Sequence, residues 1–277
     1  MDPVSPTCPH CQGENPDPKM KTAYLHQLIV PTWKQIVLFI IGLIGLNVVA
    51  TIVQLGMQVT YTATHPGATA QDIVNYLSEP TNLFIPNAIA YVSVGIALGL
   101  LLWKAWPAIF KPLKRWQPYV AALVAFVAVI VAEIVYSQFS GAVLKAMGIV
   151  PQSNTNQQGI VAMVKAVPAF SFIVFGLIGP FCEEVTYRVG LFGFLGRFNK
   201  VVAYLGTALI FGLIHFGWSA IWSPAYPGHF IVELINLPPY IGAGAVFCFI
   251  YDRWGFGAAF LAHATNNVFS VITSMIS

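Results

Sequence analysis

Long apolar runs separated by short polar breaks dominate the chain. A membrane-spanning helix needs about 20 consecutive, mostly apolar residues. Seven stretches qualify: 36–58, 83–103, 118–137, 166–188, 201–217, 234–251 and 256–275. Pro238 and Pro239 interrupt the sixth, and the fourth reaches spanning length only by running on through two glutamates. Residues 138–165 read as a long linker, polar in its middle at "PQSNTNQQG". There is no internal repeat, and no pair of broken helices of the kind that marks transporter halves. The pattern predicts an all-α membrane protein, a polytopic helical bundle of about seven transmembrane helices.

Composition strengthens this reading. Of 277 residues, 57% are hydrophobic and only 8% are charged, with a mean hydropathy of +0.73. Soluble domains carry roughly a quarter charged residues. A soluble enzyme is therefore excluded, no nucleic-acid partner is expected, and membrane lipids are the expected surroundings. A polar, Pro-rich stretch fills residues 1–32 and precedes the first apolar run, which is read as a retained helix and not a cleaved signal. The expected organisation is a cytosolic tail at 1–32 and a transmembrane domain at 33–277.

Lys and Arg set the expected orientation. With the N-terminus in the cytosol and alternating sides, the cytosolic segments hold Lys19, Lys21, Lys34, Lys104, Lys111, Lys114, Arg115, Arg188, Arg197, Lys200 and Arg253. The outer segments keep only Lys145 and Lys165. Seven spans then place the C-terminus outside, in a multi-pass protein of the cell membrane.

Against that background the segment "FCEEVTYR", residues 181–188, stands out. Glu184 and Arg188 are four apart with the glutamate first, the favourable order for a helical ion pair. Glu183 points about 100° away on an α-helix and has no partner in its own helix. With the interface near Gly190, it lies about 10 Å inside the membrane edge at 1.5 Å per residue. A carboxylate at that depth costs a few kcal/mol unless paired, wetted or protonated. Other embedded polar groups are candidates to face it: His215 in "LIFGLIHFGW", and His263 with Asn267, four apart in "GAAFLAHATNNVF". By helical rise His263 and Asn267 come out at about 10 and 16 Å depth, and His215 at about 20 Å.

The series "EEVTYR", "FGLIH" and "HATNN", on successive membrane helices, resembles the CPBP family. That family holds the type II CAAX prenyl endopeptidases and bacterial proteins linked to bacteriocin processing or immunity. The similarity covers about 166–275, the family's four-helix catalytic core. It implies an intramembrane glutamic endopeptidase in which Glu183, His215, His263 and Asn267 are catalytic. Glu183 and His215 would activate water, and His263 and Asn267 would form the oxyanion hole. Glu184 and Arg188 would support the helix end and offer a contact for a substrate carboxylate. Cleavage is expected near the cytosolic face, on prenylated CAAX-type or leader peptides.

The residues alone leave alternatives open. Glutamates with two histidines could hold zinc with an open position for water, although HExxH is absent. No cofactor is otherwise expected. A non-catalytic bacteriocin-immunity or membrane-scaffold protein is the alternative from a different class, and a proton-coupled transporter a third. At the N-terminus, Cys8 and Cys11 have the spacing of half a zinc ribbon. They are weak zinc candidates, with His10 or His26 as possible further ligands.

Overall fold

The computed structural model describes residues 30–276. Cys8, Cys11, His10, His26, Lys19 and Lys21 lie outside the described residues. Within them all regular structure is helical. The main helices are α1 (Thr32–Thr64), α2 (Ala70–Ser78), α3 (Pro80–Leu101), α4 (Gln117–Ala146), α5 (Thr155–Ala166), α6 (Pro168–Leu195), α7 (Lys200–Leu213), α8 (His229–Trp254) and α9 (Phe256–Ile276). Short helices at Trp106–Ile109, Lys111–Lys114 and Ser219–Trp222 sit in the connections.

Seven of these helices fall on the seven predicted stretches, and five of them (α1, α3, α4, α6 and α8) are long and apolar enough to cross a membrane. The other two differ from expectation for separate reasons. Helix α7 has 14 residues, about 21 Å, shorter than a hydrocarbon core of about 30 Å. Helix α9 has 21 residues, but His263, Asn266 and Asn267 dilute its apolarity. The linker reading of 138–165 also needs correction. Helix α4 continues to Ala146, and α5 begins at Thr155, capped by the Asn154 side chain on Gln157 N at 3.0 Å.

Large apolar side chains cover the outside. Ile40, Ile44, Val48, Ile52 and Val59 are exposed along one stripe of α1, and Leu123, Val127, Val131 and Ile134 along α4. Such patches are stable facing lipid. Helix α6 is the hub: 61% of its most apolar window is buried, against 11–28% for the other four spanning helices. Helices α1, α3, α7 and α9 all pack on it. At Gly190 an added Cβ would lie 3.0 Å from Phe39 N and 3.1 Å from Gln35 O, so only glycine lets the α1 and α6 backbones approach this closely.

Pro238 and Pro239 do not break α8. Pro239 has no N–H for the carbonyl four residues earlier, that of Ile235. The Tyr136 hydroxyl of α4 donates to that carbonyl at 2.8 Å. A neighbouring helix thus satisfies the freed backbone group, as an apolar medium requires.

Candidate active site

Helix α6 is not a uniform α-helix. It widens into π-helical turns at Val174–Ile178 and Glu184–Phe192, with an α-helical turn, Gly179–Glu183, between them. Such widening is uncommon and recurs at functional sites. Here both adjacent glutamates reach one imidazole. His263 Nδ1 lies 2.8 Å from Glu184 Oε1, and His263 Nε2 lies 3.7 Å from Glu183 Oε2.

Glu184 and Arg188 form the expected ion pair at 3.0 Å, and both are fully buried. The Arg188 guanidinium also donates to Gly244 O at 3.2 Å. It lies over the rings of Phe211 (4.4 Å) and Phe247 (5.3 Å), which ties α6 to α7 and α8. A substrate carboxylate cannot reach a side chain enclosed in this way, so that suggested contact is corrected: Arg188 is internal. Glu184 Oε1 meets both Arg188 and His263 and so orients the imidazole. Phe247 stacks on the His263 ring at 4.6 Å.

Glu183 sits at the wall of a cavity of about 120 Å³, which His215, His263 and Asn267 also line. All four residues singled out in the sequence therefore share one space. The depth mismatch of His215 disappears because the cavity extends along α9 from His263 past Asn267 to Ser270. Helix α6 continues beyond Glu183 to Leu195. His215 itself sits in the turn beyond α7, with Nδ1 2.8 Å from Phe211 O. A carbonyl only accepts, so Nδ1 carries the proton, and a neutral His215 keeps a lone pair on Nε2. Tyr240 stacks on its ring at 4.4 Å. The Asn267 amide donates to Phe175 O, within the first π turn, at 3.0 Å, which leaves a second N–H.

Sequence reasoning missed several partners. The Tyr91 hydroxyl donates to Glu183 Oε1 at 3.3 Å; a tyrosine in the middle of an apolar span was the available signal. Asn154 and Glu233 hold the His215 turn at both ends. The Asn154 amide donates to His215 O at 2.9 Å, and Gly217 N donates to Glu233 Oε2 at 2.8 Å. Thr155 gives Glu233 Oε1 both its N–H (2.7 Å) and its hydroxyl (2.6 Å). His229 accepts from Ala225 N at Nδ1, leaving Nε2–H to donate to Thr155 Oγ1 at 2.9 Å. Glu233 is thus a buried, fully engaged acceptor. Replacing it with Gln sets an NH₂ group against Gly217 N–H or Thr155 N–H. We expect a loss of about 1–3 kcal/mol in unfolding free energy, read as a lower thermal midpoint; an unchanged midpoint would discount this clamp.

Among the described residues, no group of three or more His, Cys, Asp or Glu side chains is arranged to hold a metal ion.

The molecule is a polytopic, all-α membrane protein with a polar cavity enclosed by its helices. Residues 165–269 match the family model of Rce1-like, type II CAAX prenyl endopeptidases, and the resemblance drawn from the three motifs holds over that segment. The chain is 30% identical to "Putative membrane peptidase YdiL" of Bacillus subtilis over 129 residues, 45% of each chain. It is 25% identical over 177 residues to an uncharacterized protein of Mycoplasma capricolum, covering 61% of this chain and 47% of that one. The chain therefore spans about half the length of these curated relatives. No solved structure matches it. These matches make the chain similar to type II CAAX prenyl endopeptidases over residues 165–269.

Proposed function

We propose that the protein is an intramembrane glutamic endopeptidase. The observation that carries this reading is the shared cavity of Glu183, His215, His263 and Asn267. Glu183 Oε2 is buried there without a hydrogen-bond partner among the described residues. The 3.7 Å between it and His263 Nε2 is too long for a direct hydrogen bond, and a water or carbonyl oxygen touching both fits better.

In the proposed step, Glu183 takes a proton from water while the His215 Nε2 lone pair orients it. The water oxygen bonds to the peptide carbon. The developing oxyanion accepts from the second Asn267 N–H and, with His263 acting as an imidazolium, from His263 Nε2–H, its Nδ1–H being committed to Glu184. Fixed donors gain strength in a water-poor cavity. As the C–N bond breaks, Glu183 returns its proton to the leaving amine. Tyr91 and Glu184 are positioning residues, acting through Glu183 and His263.

The Lys and Arg bias supports a cytosolic N-terminus. Cleavage is proposed near the cytosolic face, since Glu183 faces His263 in the first half of α9. Prenylated CAAX-type and leader peptides are the proposed substrates. The test incubates purified protein in lipid nanodiscs with a mixed pool of prenylated and plain peptides, read by mass spectrometry with and without a chelator. Discrete cuts that persist with chelator are expected. Cuts that vanish with chelator would move the reading to a metal-bound water. No cuts, with a protein partner co-purifying, would favour the scaffold or immunity alternative.

A further inference from the structure

A second cavity, of about 240 Å³, adjoins the first, and Gln157, Tyr240 and Ser270 line both. A single water occupies about 30 Å³ of liquid, so this space is large enough for an extended side chain. Glu133 of α4 lines it, and no hydrogen bond or ion pair to the Glu133 carboxylate occurs among the described residues. Four of the other lining side chains have already spent their hydrogens, whereas the Gln157 amide and the Ser153 and Ser270 hydroxyls donate to nothing among the described residues. Ser137 donates to Ile134 O (2.8 Å) and Ser140 to Ser137 O (3.2 Å). Both amide hydrogens of Asn236 go to carbonyls, Gln152 O at 3.1 Å and Val232 O at 2.8 Å. The Tyr240 hydroxyl donates to Asn154 Oδ1 at 3.2 Å. What these four groups offer the cavity is lone pairs. No Lys or Arg lines it.

An ionisable side chain inside a membrane helix calls for a partner. An unpaired carboxylate beside such acceptors suits a cation with several N–H donors. We infer that this cavity is a substrate subsite for an ammonium or guanidinium group next to the scissile bond, with Glu133 as its specificity-determining residue. The group is either a Lys or Arg side chain or the free amino terminus of the peptide. The inference rests on the peptidase reading above, because the cation arrives as part of a peptide lying across both cavities. Tyr240 links the two spaces: one face of its ring packs on His215, and its hydroxyl reaches Asn154 at the cavity edge.

Binding and cleavage are tested separately. Fluorescent, membrane-soluble peptides that differ only by Lys, Gln or Glu at one position, each with free or acetylated amino termini, are titrated onto Glu183→Gln protein in nanodiscs. The titration is repeated with a protein that also carries Glu133→Gln. A charged hydrogen bond contributes about 1.5–3 kcal/mol, so the cationic peptide should bind about 10- to 100-fold more tightly than its Gln counterpart. That preference should disappear with Glu133→Gln. A preference that follows acetylation and not Lys identifies the amino terminus as the cation. Equal binding of the Lys, Gln and acetylated peptides, no binding by any of them, or a preference that survives Glu133→Gln overturns the inference. Charge-selective binding without cleavage by the intact protein overturns the peptidase reading alone, whereas cleavage blind to charge overturns only this subsite.

Discussion

Glu183→Gln is expected to abolish peptide hydrolysis and to leave the fold intact. The amide keeps the size of the carboxylate and an oxygen for the Tyr91 hydroxyl, 3.3 Å away, but cannot take a proton from water. Losing one member of a catalytic set that works as a unit costs about 10⁴-fold or more in kcat. The thermal midpoint should barely move, because Glu183 anchors no helix and has only the Tyr91 hydrogen bond and the long approach to His263. Glu184→Gln should differ in kind. It weakens the ion pair to Arg188 and the bond to His263 together, so activity and stability fall in parallel. Kinetics and melting curves on both variants separate a base from a buttress. If Glu184→Gln left a stable, inactive protein while Glu183→Gln stayed active, the roles assigned to the two carboxylates would be reversed.

Arg188→Met carries the largest expected cost in stability. The guanidinium is fully buried between Phe211 and Phe247, and removing it leaves Glu184 without its cation. Breaking a buried pair from one side typically costs about 3–5 kcal/mol. Arg188→Lys should not restore the protein, because an ammonium cannot serve Glu184 and Gly244 O as a planar fork between two rings. The double variant Glu184→Gln with Arg188→Met should recover part of the loss, since no lone charge remains buried. Thermal unfolding in nanodiscs measures all three. A single variant as stable as the parent would contradict the internal role of Arg188.

How far the sequence could be read follows from how local each signal was. Apolar run length located the helices because a bilayer imposes one length on every span. The ion pair of Glu184 and Arg188 was legible because both partners lie on one helix. The bond from Glu184 to His263 was not: it joins α6 to α9 and depends on a π-helical stretch for which the sequence has no composition rule. Tyr91 and Asn154 were missed for the same reason, each reaching a distant part of the chain. The polar stretch "PQSNTNQQG" looked like a linker because its amides have no apolar period. In the fold three of those amides turn inward, with Asn154 holding the His215 turn and Asn156 and Gln157 lining the cavity. The end of α7 was misplaced because "LIHFGW" is apolar enough to continue a helix, and only the tertiary bonds of Asn154 and Glu233 show why the chain turns there.

The central claim, that Glu183 activates water directly, is tested by one turnover with enzyme in excess over a cleavable peptide in H₂¹⁸O. If Glu183 acts as a base, the new carboxyl terminus carries solvent ¹⁸O from the first turnover, and the Glu183→Gln protein makes no product. An unlabelled oxygen in that first product, with ¹⁸O then found on Glu183 itself, would mean that the carboxylate attacks the peptide and forms an anhydride, contradicting the proposed mechanism.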